Sequence, residues 1–529
     1  MASKKLQVWL PLLLAVVMIV GMMIGYELKS KTSGRDLFQL SKKSSVQEVM
    51  DLVKAKYVDD VKFDSINQAV IEDVLAHLDP HSTYIPATNL SQVNEQLAGN
   101  FQGIGVEFQQ FDDTVNVTNV IKDGPSDKAG LLVGDKILKA NDTAVLVGKN
   151  VTPDFIRKQL RGEAGSPVNI TVLRDKVTKV ITIKRGSIAV PSIDAAYIIA
   201  PHTGYIRINK FADRTYEEFM QNLEKLQKDS LSGLILDLRG NGGGLLSEAT
   251  AIADEFLSED KLIVYTQGNN TPRFEYKCKR DGLFEKGKLI VLVDETSASA
   301  SEVLSGALQD WDRATIVGRR TFGKGLVQQQ FGLSDGSAVR LTIARYYTPL
   351  GRCLQKPYSN KSKHDYDAEL FKRFEDGEVV KEDSTKQQGK AYKTPKGHIV
   401  YGGGGITPDV FIPYDTAKLP APIIKMYYKN SLANYAYHYF INNKAALSKY
   451  SNSTDVSQNF IPTDKDFQAI ARYVAKDTIA LNTLDAKAKA DILHRFKALV
   501  ARQLFRGEGY YQASNANDDA VKKAIELLR

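Results

Sequence analysis

DETSASASEVLSGALQDWDRATIVGRRTFGKGLVQ, Asp294 to Gln328, is the stretch on which the reading of this chain turns. The preceding KLIVLV, Lys288 to Val293, is a short apolar run rich in β-branched residues, the pattern of a strand buried on both faces. From Ala300 the apolar residues Val303, Leu304, Ala307 and Leu308 recur at helical spacing, so a helix follows the strand. Ser297, Ser299 and Ser301 stand where the first free amides of that helix need acceptors, and capping alone would explain them. Thr321 to Gly325, TFGKG, adds something that capping does not: a lysine held between two glycines, just after a second apolar strand at Ala314 to Gly318. A lysine withdrawn from water binds its proton less tightly, and its neutral amine can take the proton of a serine hydroxyl. Ser-Lys pairing is one variant of the logic in which a base activates a nucleophile. Gln328 is suited to orient such an amine through its amide oxygen, but a fully extended strand would put it about 13 Å from Lys324, at roughly 3.3 Å per residue. The segment is therefore expected to turn or bulge, which its glycines permit.

With SASASE at Ser297 to Glu302 and GKGLVQ at Gly323 to Gln328, the chain resembles the carboxyl-terminal processing (tail-specific) proteases, serine peptidases with a Ser-Lys pair. Sequence order alone does not choose Ser299 over its two neighbours. The resemblance does: it implies Ser299 as nucleophile, Lys324 as general base and Gln328 as the residue that positions the lysine. It spans roughly residues 40 to 415 and implies an α/β fold, a crotonase-like serine protease core with an inserted PDZ domain.

A second glycine-rich unit serves the same chemistry. LILDL, Leu234 to Leu238, reads as a buried strand, RGNGGG, Arg239 to Gly244, as a loop, and Leu246 to Leu257 as a helical pattern. Strand, glycine loop and helix N-terminus together favour an anion, here the oxyanion of acyl transfer. The resemblance implies the amides of Gly243 and Ala300 as oxyanion hole. Gly242 stands where the family has proline, and the loop is expected to be looser for it.

Residues 99 to 185 resemble a PDZ domain, on GNFQGIGVEF at Gly99 to Phe108 and GPSDKAGLLVGDKILKAND at Gly124 to Asp142. A loop of free amides suits a terminal carboxylate, and an open strand edge accepts the residues before it. Ile104, Gly105, Val106 and Phe108 are the candidate peptide contacts, and Arg161 a candidate link between peptide binding and protease. A nucleotide-binding GxGxxG is excluded, because Phe108 stands where the third glycine is required.

The remaining organisation follows from composition and pattern. Residues 6 to 26 are apolar throughout, with Lys4 and Lys5 before them. About 20 such residues cross a bilayer, and the lysines favour a cytoplasmic amino end. Residues 1–27 are read as an uncleaved signal-anchor, since no small-residue cleavage site follows, which places a single-pass protein in the inner membrane with its catalytic part in the periplasm or another extracytoplasmic space. Residues 40–98 form an N-terminal region with two helical patterns and are expected to pack as a small helical unit. The protease core is placed at 187–415, with a polar, lysine-rich, mobile surface insertion at 355 to 397. Residues 416–529 form a helical extension for packing, a partner or a homo-oligomer contact. Two cysteines exclude a disulfide scaffold, seven histidines show no metal-ligand spacing, and a net charge of +8 without a dense basic block argues against nucleic acid. No metal or organic cofactor is implied.

Two decoys fail on context. GRRTFGKG, Gly318 to Gly325, lacks the final Ser or Thr of a phosphate loop and opens no amphipathic helix. GLSDG, Gly332 to Gly336, mimics a nucleophile elbow but is followed by an alternating strand, so it is a hairpin turn. The expectation is a membrane-anchored serine endopeptidase that recognises protein tails with accessible C-termini. Its alternative is a catalytically silent, membrane-tethered PDZ scaffold.

Overall fold

The computed structural model describes residues 9, 11, 14–23, 44–111, 113–141, 143–358, 363–381, 389–415 and 419–529. The chain divides into two compact units, residues 1–73 and 74–529. Most of the expected anchor outside residues 14–23, which are helical, lies outside the described residues. Among the described residues no helix is long and apolar enough to cross a membrane.

In the first unit the helix Ser45–Lys56 starts at Ser44, whose hydroxyl accepts the Gln47 N–H. It buries none of its residues, and Val46, Val49 and Leu52 are exposed. A stripe of three aliphatic side chains on a charged helix is too narrow to hold a core by itself; the second expected helix forms at Phe63–Ala76, with Leu75 buried.

In the second unit a six-stranded sheet carries the catalytic segment. Its order is Ile193–Ala200, Thr203–Ile208, Gly233–Asp237, Lys288–Val293, Thr315–Gly318, Val410–Phe411. All neighbours are parallel except the first pair. Lys288–Val293 lies between two parallel neighbours, which is why it reads as unbroken apolar sequence. Leu289, Val291 and Val293 point into one core with the helices Thr215–Gln227, Leu246–Asp254 and Ala300–Asp310. Ile290 and Leu292 point into the other, where Ala520, Val521 and Ala524 of the helix Asp519–Leu528 cover them. That last helix is held at its N-cap, Asp518, which accepts from Arg239 at 2.8 Å. The end of the helical extension thus closes the core of the protease.

A second, five-stranded sheet holds the hairpin Leu326–Gly332 and Ala338–Tyr347, joined by the turn that contains GLSDG, as the sequence suggested. Residues 100–189 add a separate sheet, in which Val106–Phe111 is an edge strand beside Thr114–Val120. The described part of the insertion is not a loose surface segment. It includes the helix Lys363–Glu375, with Tyr366 1% and Arg373 3% exposed. The sequence looked polar there because its buried charges are paired rather than absent.

Candidate active site

Ser299 sits at the N-cap of Ala300–Asp310 with φ 55° and ψ −113°, a conformation that L residues rarely adopt. Such strain persists only where neighbours over-determine it. The chief neighbour is Glu302, whose fully buried carboxylate accepts four bonds. One oxygen takes the Ser299 N–H and the Lys324 N–H, each at 2.8 Å. The other takes the Gly323 N–H at 2.7 Å and the Thr321 hydroxyl at 2.5 Å. A single carboxylate oxygen therefore joins the serine turn to the lysine strand across 25 residues of chain. Burial pushes the Glu302 carboxyl above its ordinary range, against the pull of these donors.

Lys324 is partly buried, and its Nζ donates to Gln328 Oε1 at 3.2 Å. Lys324 lies in irregular chain between Gly323 and Gly325, before the strand Leu326–Gly332 begins, so the extended-strand distance does not apply; the register shift of the hairpin at Val327 and Gln328 leaves its extra residue, Ile343, on the partner strand. Gln328 in turn donates through Nε2 to the His81 carbonyl in a short bond. Burial lowers the Lys324 pKa, Arg340 lowers it further, and Glu302 and Asp79 oppose them. The lysine is thereby moved toward the neutral form that a base requires.

The glycine loop closes the site from the third side. A Cβ on Gly243 would lie 2.7 Å from the Ala298 carbonyl, 2.8 Å from Ser299 Cβ and 3.0 Å from the Ala300 nitrogen, so only glycine fits against the serine. On Gly244 it would meet the Phe211 carbonyl at 2.0 Å. The Ala300 amide opens its helix and has no intrahelical acceptor. The Gly243 amide is turned into its own loop, where it donates to Asn241 Oδ1 at 2.9 Å. The loop is not loose: Asn241 also donates to the Ile208 carbonyl at 3.0 Å, and its own carbonyl receives the Ala298 N–H and the Ser301 hydroxyl. These bonds replace the stiffness that proline would have given, so the expected loosening at Gly242 is corrected.

Sequence reasoning missed several groups. Tyr346 is buried, its hydroxyl is aimed toward Ser299 but makes no bond of normal geometry, and burial pushes its pKa well up. Arg373, from the insertion, donates to the carbonyls of Thr321 and Phe322 at 2.8 and 3.1 Å. Lys356 lies over the Phe322 ring and pairs with Glu369 at 2.8 Å. The His81 ring meets the Tyr366 hydroxyl at 3.0 Å. Tyr346 belongs to an alternating strand and Arg373 to a polar run, so neither carried a signal in one dimension. Cys278 and Cys353 are free thiols.

The candidate peptide contacts lie apart from this site. Asn100–Gly103 forms a strand with Gly186–Ala189, so the loop before the edge strand is only Ile104 and Gly105, shorter than its glycines suggested. Ile104 is buried, while Val106 and Phe108 pack on the local core from the edge strand. All four line a cavity of about 720 Å³ beside the helix Pro153–Leu160. Arg161 lies over the Phe101 ring and 3.7 Å from Glu95 on the helix Ala87–Ala98, a physical link from this domain toward the hairpin side of the protease.

The chain is similar to known peptidases and PDZ domains. Residues 202–362 match the model of peptidase family S41, residues 102–184 a PDZ domain, and residues 423–507 a family of unknown function. A carboxy-terminal-processing protease of Bartonella bacilliformis is 34% identical over 66% of this chain and 83% of its own. A probable CtpA-like serine protease of Staphylococcus epidermidis is 34% identical over 64% of this chain and 68% of its own. The solved photosystem II D1 C-terminal processing protease is 27% identical, over 71% of this chain and 88% of that one, with a TM-score of 0.37.

Proposed function

The chain belongs to the carboxy-terminal-processing proteases of peptidase family S41, serine-type peptidases, and from that premise we propose that it cuts protein tails with a Ser299–Lys324 pair after docking them on its PDZ domain. In this reading Lys324, neutral, takes the Ser299 Oγ proton as the oxygen attacks the scissile carbonyl. The Ala300 amide meets the oxyanion, and the Gly243 amide joins it by leaving Asn241. Collapse of the tetrahedral species breaks the C–N bond, the lysine returns the proton to the leaving amine, and water then hydrolyses the acyl-enzyme with the lysine again as base. Gln328 keeps the amine in place, and the Val106–Phe111 edge receives the tail as an added strand with its carboxylate at Ile104 and Gly105.

The observation that carries the reading is the Glu302 oxygen shared by the serine and lysine amides, beside an amine moved toward neutrality by burial. The proposal extends to a crotonase-like core and to an amino-terminal anchor at residues 6–26, with the catalytic part outside the cytoplasm. The apolar run, interrupted only at Gln7, supports that anchor, and retention in the membrane pellet after alkaline extraction tests it. For the chemistry, the full chain is given an unstructured protein with an apolar C-terminus. Ser299→Ala and Lys324→Ala are each expected to lower kcat/KM by at least about 10⁴-fold with tail binding retained, as for removal of a nucleophile or its base. Cleavage by Ser299→Ala at the wild-type rate would end the reading. A wild type that binds the tail and never cuts it would favour the silent scaffold.

A further inference from the structure

Resting on the reading of the Val106–Phe111 edge as the docking strand for a tail, we infer that the C-terminal helical region is the second wall of that groove. Arg502 on this wall selects tails with an acidic side chain at the penultimate position. The cavity along the edge strand has the helix Pro153–Leu160 on one side and Lys429, Asn430, Asn434 and Arg502 on the other. This wall is fastened to the PDZ domain. The Tyr437 hydroxyl donates to the Val117 carbonyl at 3.3 Å, Lys444 Nζ donates to the Val133 carbonyl at 2.9 Å, and the Tyr437 ring packs on Phe111 with centroids 5.0 Å apart.

The strand decides which tail residues meet which wall. Val106 and Phe108 pack on the PDZ core with Ile104, Ile156 and Leu160. Glu107 and Gln109, which alternate with them along the strand, also line a second cavity, of about 230 Å³, with Asn430 and Arg502. Side chains of an added strand alternate in the same way. A C-terminal apolar side chain that follows Val106 and Phe108 enters the apolar side, so the penultimate one is turned toward the helical region.

Charge then fixes the preference. Arg157 is paired with Asp154 at 2.5 Å, Arg161 lies by Glu95, and Arg506 approaches Glu107 at 3.8 Å. Lys429 donates to the Asp477 carbonyl at 3.2 Å, which leaves its charge unneutralised. Arg502 is exposed, makes no hydrogen bond or ion pair among the described residues, and lies near enough to Arg506 to repel it. A carboxylate beside Arg502 supplies the missing counter-charge.

The test uses the full chain carrying Ser299→Ala, so that bound peptide is not cut. Fluorescent decapeptides with one apolar C-terminal residue and Glu, Gln or Lys before it are titrated by anisotropy, each as free acid and as amide. The Glu peptide is expected to bind about fivefold more tightly than the Gln peptide at low salt, with the gap closing at high salt. Adding Arg502→Gln should erase the preference, and Arg502→Glu should invert it in favour of Lys. A free acid preferred over the amide, with no preference among Glu, Gln and Lys, would overturn this inference and leave the groove reading intact. The same holds for a Glu preference that survives both variants. No binding of any peptide, acid or amide, would remove the groove reading and this inference with it.

Discussion

The serine–lysine seam and the tail groove both lie where a strand meets a short glycine loop, but they are held in opposite ways. In the seam, Glu302 is fully buried and meets four donors, Asn241 fastens the glycine loop, and Arg373 and Lys356 brace the lysine segment from behind. In the groove, the edge strand has one free side, and the charges facing it are exposed. The difference teaches where each region spends its order. Reacting groups placed a little wrongly lose most of their rate, so their supports are buried and fully bonded. A docking surface must take side chains of many kinds, and backbone pairing along an open edge does not depend on which ones they are.

The sharpest way to break this contrast is Glu302→Gln. An amide nitrogen would replace one oxygen and leave at least one buried N–H without an acceptor, a loss of about 1–3 kcal/mol in stability. Because that carboxylate also holds the strained serine, kcat should fall by about 10²-fold or more, with tail affinity unchanged. Denaturant unfolding and proteolysis read the two effects. Near-normal turnover in this variant would show that the seam is not held by Glu302.

A subtler change sharpens the electrostatic side. Arg340 depresses the Lys324 pKa alongside burial. Removing that positive charge in Arg340→Gln favours the protonated amine, so the amine loses its proton only at higher pH. The acidic limb of the kcat/KM profile should then move to higher pH with its plateau retained. A limb that stays in place would argue that the titrating group is not Lys324. The smallest effect is expected in the groove itself. Gln109→Ala, on the exposed face of the edge strand, should change stability by no more than about 0.5 kcal/mol. A cost comparable to that of Glu302→Gln would collapse the distinction between the two regions.

Much of this arrangement was legible in one dimension. KLIVLV announced a strand buried on both faces, the residues from Ala300 announced a helix, and GLSDG was a turn for the reason its flanking strand suggested. The separation of about 13 Å between Lys324 and Gln328 in an extended strand required a turn or bulge, and the chain is irregular at Lys324, before the strand Leu326–Gly332 begins. Other features gave no local signal. Glu302 looks like an ordinary acidic residue in the first turn of a helix, and its role depends on Thr321, Gly323 and Lys324 arriving from another strand. The insertion looked like solvated chain because a buried arginine and an exposed one are written with the same letter.

The sequence by itself determined the periodicities, the glycine positions and the chemistry available at Ser299 and Lys324, because these depend on neighbours a few residues away. Only the tertiary structure decided what surrounds each charge: that Glu302 is shared, that the Gly243 amide is turned to Asn241, that the charge of Arg340 acts on the lysine, and that Arg502 faces the groove. Burial and electrostatic partnership are properties of distance in space, and residues far apart in the chain set them.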